Sequence, residues 1–263
     1  MQSILVQANA KLNLDLEIGE KRTDGYHLIK STFQSIDLSD FLLFEKARKD
    51  SLTGAIICKE AENIILKAKR ILEKELNKKL PCRIHLQKTI PVAAGLGGGS
   101  ADAAATLYAL NLLYKLNLNK KEMAAIGAII GADVPFFFFG GTCRCEGIGE
   151  KITPVKKSLP KFFILFHPLK KIETKKMYKL HDKTGKNFFL LAKELCPEIR
   201  KIEKYFSRFK LKLKMSGSGP TTFCGVNSYS LAKKIIEKYP GFNGGIFICR
   251  PQKEALKTLW KTL

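Results

Sequence analysis

The chain is short of acid. Against 46 Lys and Arg it has 24 Asp and Glu, a formal net charge of +22 over 263 residues. That excess favours anionic partners such as nucleotides, nucleic acid or a membrane surface. Arginine is scarce, at 8 of the 46 cations. The excess is therefore lysine, a hydrated point charge rather than a planar fork for bases and phosphates. Few aromatics interrupt the lysine runs, which argues against a surface that stacks single strands. A solvated lysine-rich face accounts for much of the charge, and nucleic-acid binding is kept as an alternative.

Metal-fixing groups are sparse too. Cys58, Cys82, Cys143, Cys145, Cys196, Cys224 and Cys249 form no C-x-x-C pair, and only His27, His85, His167 and His181 accompany them. Zinc spacing is absent. An odd, scattered set of cysteines suits reduced thiols and a cytoplasmic location. No internal repeat or low-complexity linker is present. The N-terminal MQSILVQANAKLNLDL lacks the apolar stretch and cleavage site of a signal peptide. The one greasy stretch, 123–141, is broken by Asp133 and Pro135. A charge and a helix breaker at mid-span are costly in lipid, so the reading is a buried helix, a turn and a buried strand, with no membrane partner. An acid is thereby set among apolar neighbours.

What is present is an ordinary globular balance, 45% hydrophobic and 27% charged. Its length suits one large domain or two modest ones. Residues 1–150 carry 20 basic and 17 acidic side chains, whereas 151–263 carry 26 and 7. Pro154, Ser158 and Pro160 cluster where that balance changes, so the expected domains are 1–156 and 157–263. Alternating patterns predict strands near 4–7, 11–18, 27–37 and 41–46, then 162–167, 211–215, 221–226 and 244–249. Apolar residues at helical spacing predict a helix over 61–78, ended by Pro81. Cys82, Ile84 and Leu86 then alternate with polar residues as a half-buried strand, His85 on the polar side. Cys143 and Cys145 share one face of another strand. Further helices are expected to about 114 from an alanine-rich run, and over 120–130, 187–208, 229–239 and 252–262.

Between the strand at 82–87 and the alanine-rich helix lies Pro91-Val-Ala-Ala-Gly-Leu-Gly-Gly-Gly-Ser100. Four glycines in five positions let backbone N–H groups approach an anion, and the following helix points its positive end at the same place. The loop is neither GxxxxGK[ST] nor G-x-G-x-x-G. A tight turn is the plainer alternative. A second small-residue loop, Ser216-Gly-Ser-Gly-Pro220, sits between two predicted strands, where a hairpin turn is the plainer alternative.

Ala10-Lys-Leu-Asn13, Asp24-Gly-Tyr-His27, PVAAGLGGGSADAA at 91–104, Gly131-Ala-Asp-Val-Pro135 and Ser216-Gly-Ser-Gly-Pro220 occur in the order of the GHMP kinases. From about Ala8 to Cys249 the chain resembles that superfamily. The DGYH and GLGGGS elements are similar to its 4-diphosphocytidyl-2-C-methyl-D-erythritol kinases. The resemblance implies a two-domain α/β (α+β) fold with the active site in the interdomain cleft. It also implies phosphorylation by ATP of the tertiary 2-hydroxyl of a cytidine diphosphate-linked methylerythritol, for isoprenoid precursor synthesis.

By that resemblance Lys11 and Asp133 are catalytic. Pro91, Val92, Ala93, Ala94, Gly95, Leu96, Gly97, Gly98, Gly99, Ser100 and Ala101 wrap the ATP phosphates, Ser100 also touches Mg2+, and Asn63 faces the adenine. Tyr26 and His27 meet the cytidine, Tyr178 stacks on the cytosine, Asn13 lies by the erythritol part, and Gly217, Ser218 and Gly219 complete the acceptor side. The chain departs from the usual pattern in a shorter 167–190 segment and in Asn187-Phe188, where an Asn-Asp pair is common. A monomer or weak homodimer is expected. A homoserine or sugar kinase of the same superfamily is the alternative enzyme.

Overall fold

A computed structural model describes residues 2–55, 59–239 and 242–262; Cys58 lies outside them. The first sheet grows around β3 (His27–Lys46), a strand of 20 residues where the sequence pattern suggests two. Its length lets it serve four partners. β1 (Ser3–Asn13) runs antiparallel to residues 33–45, and β2 (Glu17–Lys21) forms a hairpin with the first residues of β3. The far end of β3 pairs with β5 (Cys82–Gln87), which has β4 (Ser51–Gly54) parallel on its other side. β6 (Thr142–Gly147) and β7 (Lys151–Pro154) extend the near end. In β6 both Cys143 and Cys145 face the core, and in β5 His85 points to solvent.

Three helices cover this sheet. A 3-10 turn at Glu60–Glu62 leads into α1 (Ile64–Glu75), capped by the side chain of Asn63. α2 (Gly98–Leu113) lies between α1 and the sheet and buries residues around its whole circumference, from Ala101 through Leu113. Its alanines let the strands beneath come close; each buried leucine contributes on the order of 2–5 kcal/mol against truncation. α3 (Lys120–Ile130) starts with a full capping box between Asn119 and Glu122.

The second sheet holds β8 (Phe162–Pro168), β9 (Lys214–Met215), β10 (Thr222–Val226) and β11 (Gly244–Cys249), in the order β11-β8-β10-β9. Four helices accompany it: α5 (Thr174–Thr184), α6 (Phe188–Leu195), α7 (Pro197–Ser207) and α8 (Tyr229–Glu237).

Three expectations are corrected. Phe136–Phe139 is not a strand but a short helix, α4, three of whose four rings are buried, entered through Pro135. A segment apolar on every side carries no period that separates the two conformations. The helix expected over 187–208 is two, because Pro197 cannot continue α6 and instead starts α7. The helix expected over 252–262 is a strand, β12 (Leu256–Thr262), which returns to the first sheet and pairs with β1 from Ser3 to Ala8. The free backbone edge of β1 takes it, and its residues therefore do not join the rest of 157–263.

Candidate active site

The glycine loop is folded as an anion cradle. Gly97 is the residue before α2 and supplies no side-chain cap, so the first amides of a 16-residue helix stay open. The loop's turn uses left-handed backbone at Ala93, Gly95 and Gly97, with φ of 55°, 76° and 70°. A Cβ on Gly95 would come within 2.2 Å of the Ser216 carbonyl oxygen, so only glycine permits the packing of this loop against the second one. A Cβ on Gly99 would meet only the Ile64 side chain, at an ordinary contact distance of 3.7 Å. Residues 91–100 with Asn63, Lys88 and Asp102 line a cleft of about 810 Å³. Ala101 is buried in α2 and does not reach it.

Beneath the cradle lies a charge cluster that no sequence signal announced. The buried Asp40 accepts from the backbone N–H of Thr89 at 2.6 Å and of Ile90 at 2.9 Å, fixing the chain where it enters the loop. Lys88 Nζ donates to Asp40 at 2.5 Å and to Asp102 at 2.7 Å. Strand β3, the end of β5 and the first turns of α2 are thus tied together. Burial pushes the Asp102 carboxyl up to about 8, the nearby Asp40 charge adding to the rise and Lys88 opposing it. Asp102 Oδ1 is buried without a partner.

Lys11 and Asp133 meet at 3.2 Å. Lys11 comes from β1, is 4% exposed, and its Nζ also sits 4.4 Å above the Phe33 ring and donates to Asn13 Oδ1. Asp133, on the turn between α3 and α4, is 32% exposed and open to a second cleft of about 1330 Å³. It is not the cap of α4, whose preceding residue is Pro135. The second loop is clasped to both sides of this arrangement. Ser216 Oγ accepts from the Asn13 backbone N–H at 3.1 Å and donates to the Gly95 carbonyl at 2.8 Å, and the Lys11 N–H donates to the Leu96 carbonyl at 2.9 Å.

The second cleft also gathers Asn13, Tyr26, Tyr178, Gly217 and Ser218, residues far apart in sequence. Tyr26 is 60% exposed. Two expected residues stand back from it: Gly219 packs against Met215, and His27 is buried with its ring stacked on Tyr178, centroids 4.9 Å apart. At that separation no base enters between the two rings. Thr174, Lys175 and Phe188 were not expected and are part of the wall. Phe188 meets the Tyr178 ring edge-on at 4.9 Å. Burial raises the Tyr178 hydroxyl to about 12.

Family models agree with this architecture: that of the GHMP kinases N terminal domain matches residues 63–141, and that of the GHMP kinases C terminal domain matches 172–243. The 4-diphosphocytidyl-2-C-methyl-D-erythritol kinase of Listeria welshimeri is 33% identical over 96% of this chain and 97% of its own length. That of Clostridium botulinum is 34% identical over 93% and 99%. A crystal structure of 4-(cytidine 5'-diphospho)-2C-methyl-D-erythritol kinase superposes with a TM-score of 0.78 at 27% identity, covering 94% of this chain and 99% of that one. The homoserine kinase of Cytophaga hutchinsonii, at TM-score 0.76 and 18% identity over 98% and 97%, shares the fold. Matched almost end to end at about a third identity, with its glycine-loop cleft adjoining the cleft of its Lys–Asp pair, the chain belongs to the 4-diphosphocytidyl-2-C-methyl-D-erythritol kinase family of the GHMP kinases.

Proposed function

We propose that the protein transfers the γ-phosphoryl group of ATP to the tertiary 2-hydroxyl of 4-diphosphocytidyl-2-C-methyl-D-erythritol, giving the 2-phosphate and ADP in the methylerythritol phosphate route to isoprenoid precursors. One observation carries the reading: the two clefts share Ala93, Gly95 and Gly97, and the Lys11–Asp133 pair opens at that junction. A donor held in the first cleft and an acceptor held in the second meet there.

The cradle fits a nucleotide triphosphate. The uncapped amides of α2 suit phosphate oxygens, and Asn63, whose Oδ1 already caps α1, keeps its side-chain N–H2 for a base. Bound there, ATP supplies the phosphoryl group. Phosphoryl transfer depends chiefly on positioning and on charge stabilisation, and these residues supply both. Asp133 takes or orients the acceptor hydroxyl proton on its carboxylate. Lys11, held by Asn13 and the Phe33 face, sits beside that carboxylate and steadies the attacking oxygen. Ser100, whose side chain lines the first cleft, would touch Mg2+; among the described residues no group of three Asp, Glu, His or Cys could hold a metal. The ion would take its other ligands from phosphate and water, as Mg2+ commonly does. On the acceptor side, Tyr26 and Tyr178 offer ring surface to the cytosine, Asn13 lies by the erythritol unit, and Gly217 and Ser218 close the wall.

The site is formed within one chain, which suits a monomer or weak homodimer. Its six described cysteines are free and buried, which suits the cytoplasm. Among the described residues no helix is long and apolar enough to cross a membrane.

The test is ADP release from Mg-ATP with the cytidyl acceptor, run beside homoserine, mevalonate and the same acceptor without cytidine. Turnover with the cytidyl acceptor alone is expected. Turnover with homoserine or with the truncated acceptor would leave the Lys11–Asp133 chemistry in place and discard the substrate.

A further inference from the structure

One carboxylate ties the two halves of the molecule together behind Tyr178. Asp182 is on α5, on the face that also carries Thr174 and Tyr178 at successive four-residue steps, so all three point the same way. Its Oδ1 lies 2.7 Å from His27 Nε2, and its Oδ2 accepts from Lys21 Nζ at 2.6 Å. Lys21 ends β2 and His27 begins β3, so a single side chain on the second half grips the hairpin of the first. The other polar contact of this face is the Thr174 hydroxyl at 2.8 Å from the Ser218 hydroxyl.

The consequence for His27 is definite. Its ring is 6% exposed, stacked on Tyr178 and approached edge-on by His181 at 6.0 Å. Lys21, followed by His27, holds the Asp182 carboxyl below the usual carboxylate range, so Asp182 is acceptor-only. Opposite such a group Nε2 must carry its proton, which fixes the orientation of the imidazole. The ring in turn supports Tyr178, whose other edge is met by Phe188. Removing the carboxylate frees His27, and with it the footing of the aromatic wall.

We propose that Asp182 is a positioning residue of the acceptor site: by pinning His27 from α5 it sets the Tyr178 wall at the spacing that a cytidine nucleotide needs. This rests on the reading of the acceptor given above. Asp182 lines neither cleft, and its partners are His27 and Lys21, not the cradle or the Lys11–Asp133 pair, so its influence is confined to the acceptor end.

Equilibrium binding of CDP, beside a non-hydrolysable ATP analogue, tests the assignment in the full chain. Asp182→Asn is expected to weaken CDP about tenfold, the scale of one charge-assisted hydrogen bond, and to leave the ATP analogue within about twofold. Asp182→Glu should recover part of the loss. In a His27→Ala background the Asp182→Asn change should add nothing, because the two act as one unit. CDP affinity that survives Asp182→Asn, equal weakening of both nucleotides, or losses that add in the double variant would each overturn the role of Asp182. Wild-type protein that does not bind CDP would overturn the acceptor reading itself.

Discussion

The two ends of the cleft are built on different principles. The end proposed for the donor is a contiguous stretch, 91–100, that offers mainly backbone, held from beneath by Asp40, Lys88 and Asp102. The end proposed for the acceptor is collected from β1, the β2–β3 hairpin, the Asp133 turn, α5, α6 and the second glycine loop, and offers mainly side chains. A site made of backbone demands glycines in a row, and a row of glycines is visible in any sequence. A site made of side chains demands only that single residues arrive together, which no local pattern records.

That contrast can be broken experimentally, beginning where the ends meet. Lys11→Ala and Asp133→Ala should each lower kcat by about a thousandfold or more, the range for losing a catalytic acid–base or charge-stabilising group. CDP binding should stay near normal in both, and a kcat near the wild-type value would remove the assigned role. Next in size is Gly95→Ala. Its left-handed φ and the 2.2 Å approach of the Ser216 carbonyl leave no room for a methyl group. We expect about tenfold or more loss of ATP affinity and about 1–3 kcal/mol of stability, read by titration and denaturant melts. An unchanged ATP affinity would mean that the cradle can be rebuilt around a side chain. The smallest effect concerns the lysine-rich half. Raising salt from about 0.05 to 0.5 M should lower kcat/KM for the anionic acceptor by a few-fold, through screening of long-range attraction. A salt-independent value would assign those lysines to solubility alone.

The same distinction explains what could be read from residues alone. The order strand, glycine loop, alanine-rich helix is present as expected, because each step has its own chemistry: alternation in Cys82–Gln87, conformational freedom in 95–99, helix propensity in 101–113. Lys11 and Asp133 were reached through motif order, since neither has a neighbour in sequence that explains it. Asp182 and Lys88 gave no signal; an acid in a lysine-rich helix and a lysine at a strand end are ordinary surface residues until the fold buries what faces them. The errors in secondary structure have the same origin. Ala255, Leu256, Leu259 and Trp260 are spaced as on a helix, yet the unsatisfied edge of β1 outweighs that preference, as tertiary context commonly does.

The pairing of Ser3 with Thr262 also sets a schedule. During synthesis β1 can dock on β3 early, but its other edge has no partner until nearly the whole sequence described here has left the ribosome. For that interval the strand that carries Lys11 presents a row of open N–H and C=O groups, a template for pairing with another chain. The contact that completes the first sheet is among the most distant in the molecule, so it is expected to form late and to be costly in loop entropy. Maturation of the strand that carries Lys11 is in this way coupled to completion of the second half, and a chain halted before β12 would be left with that edge exposed.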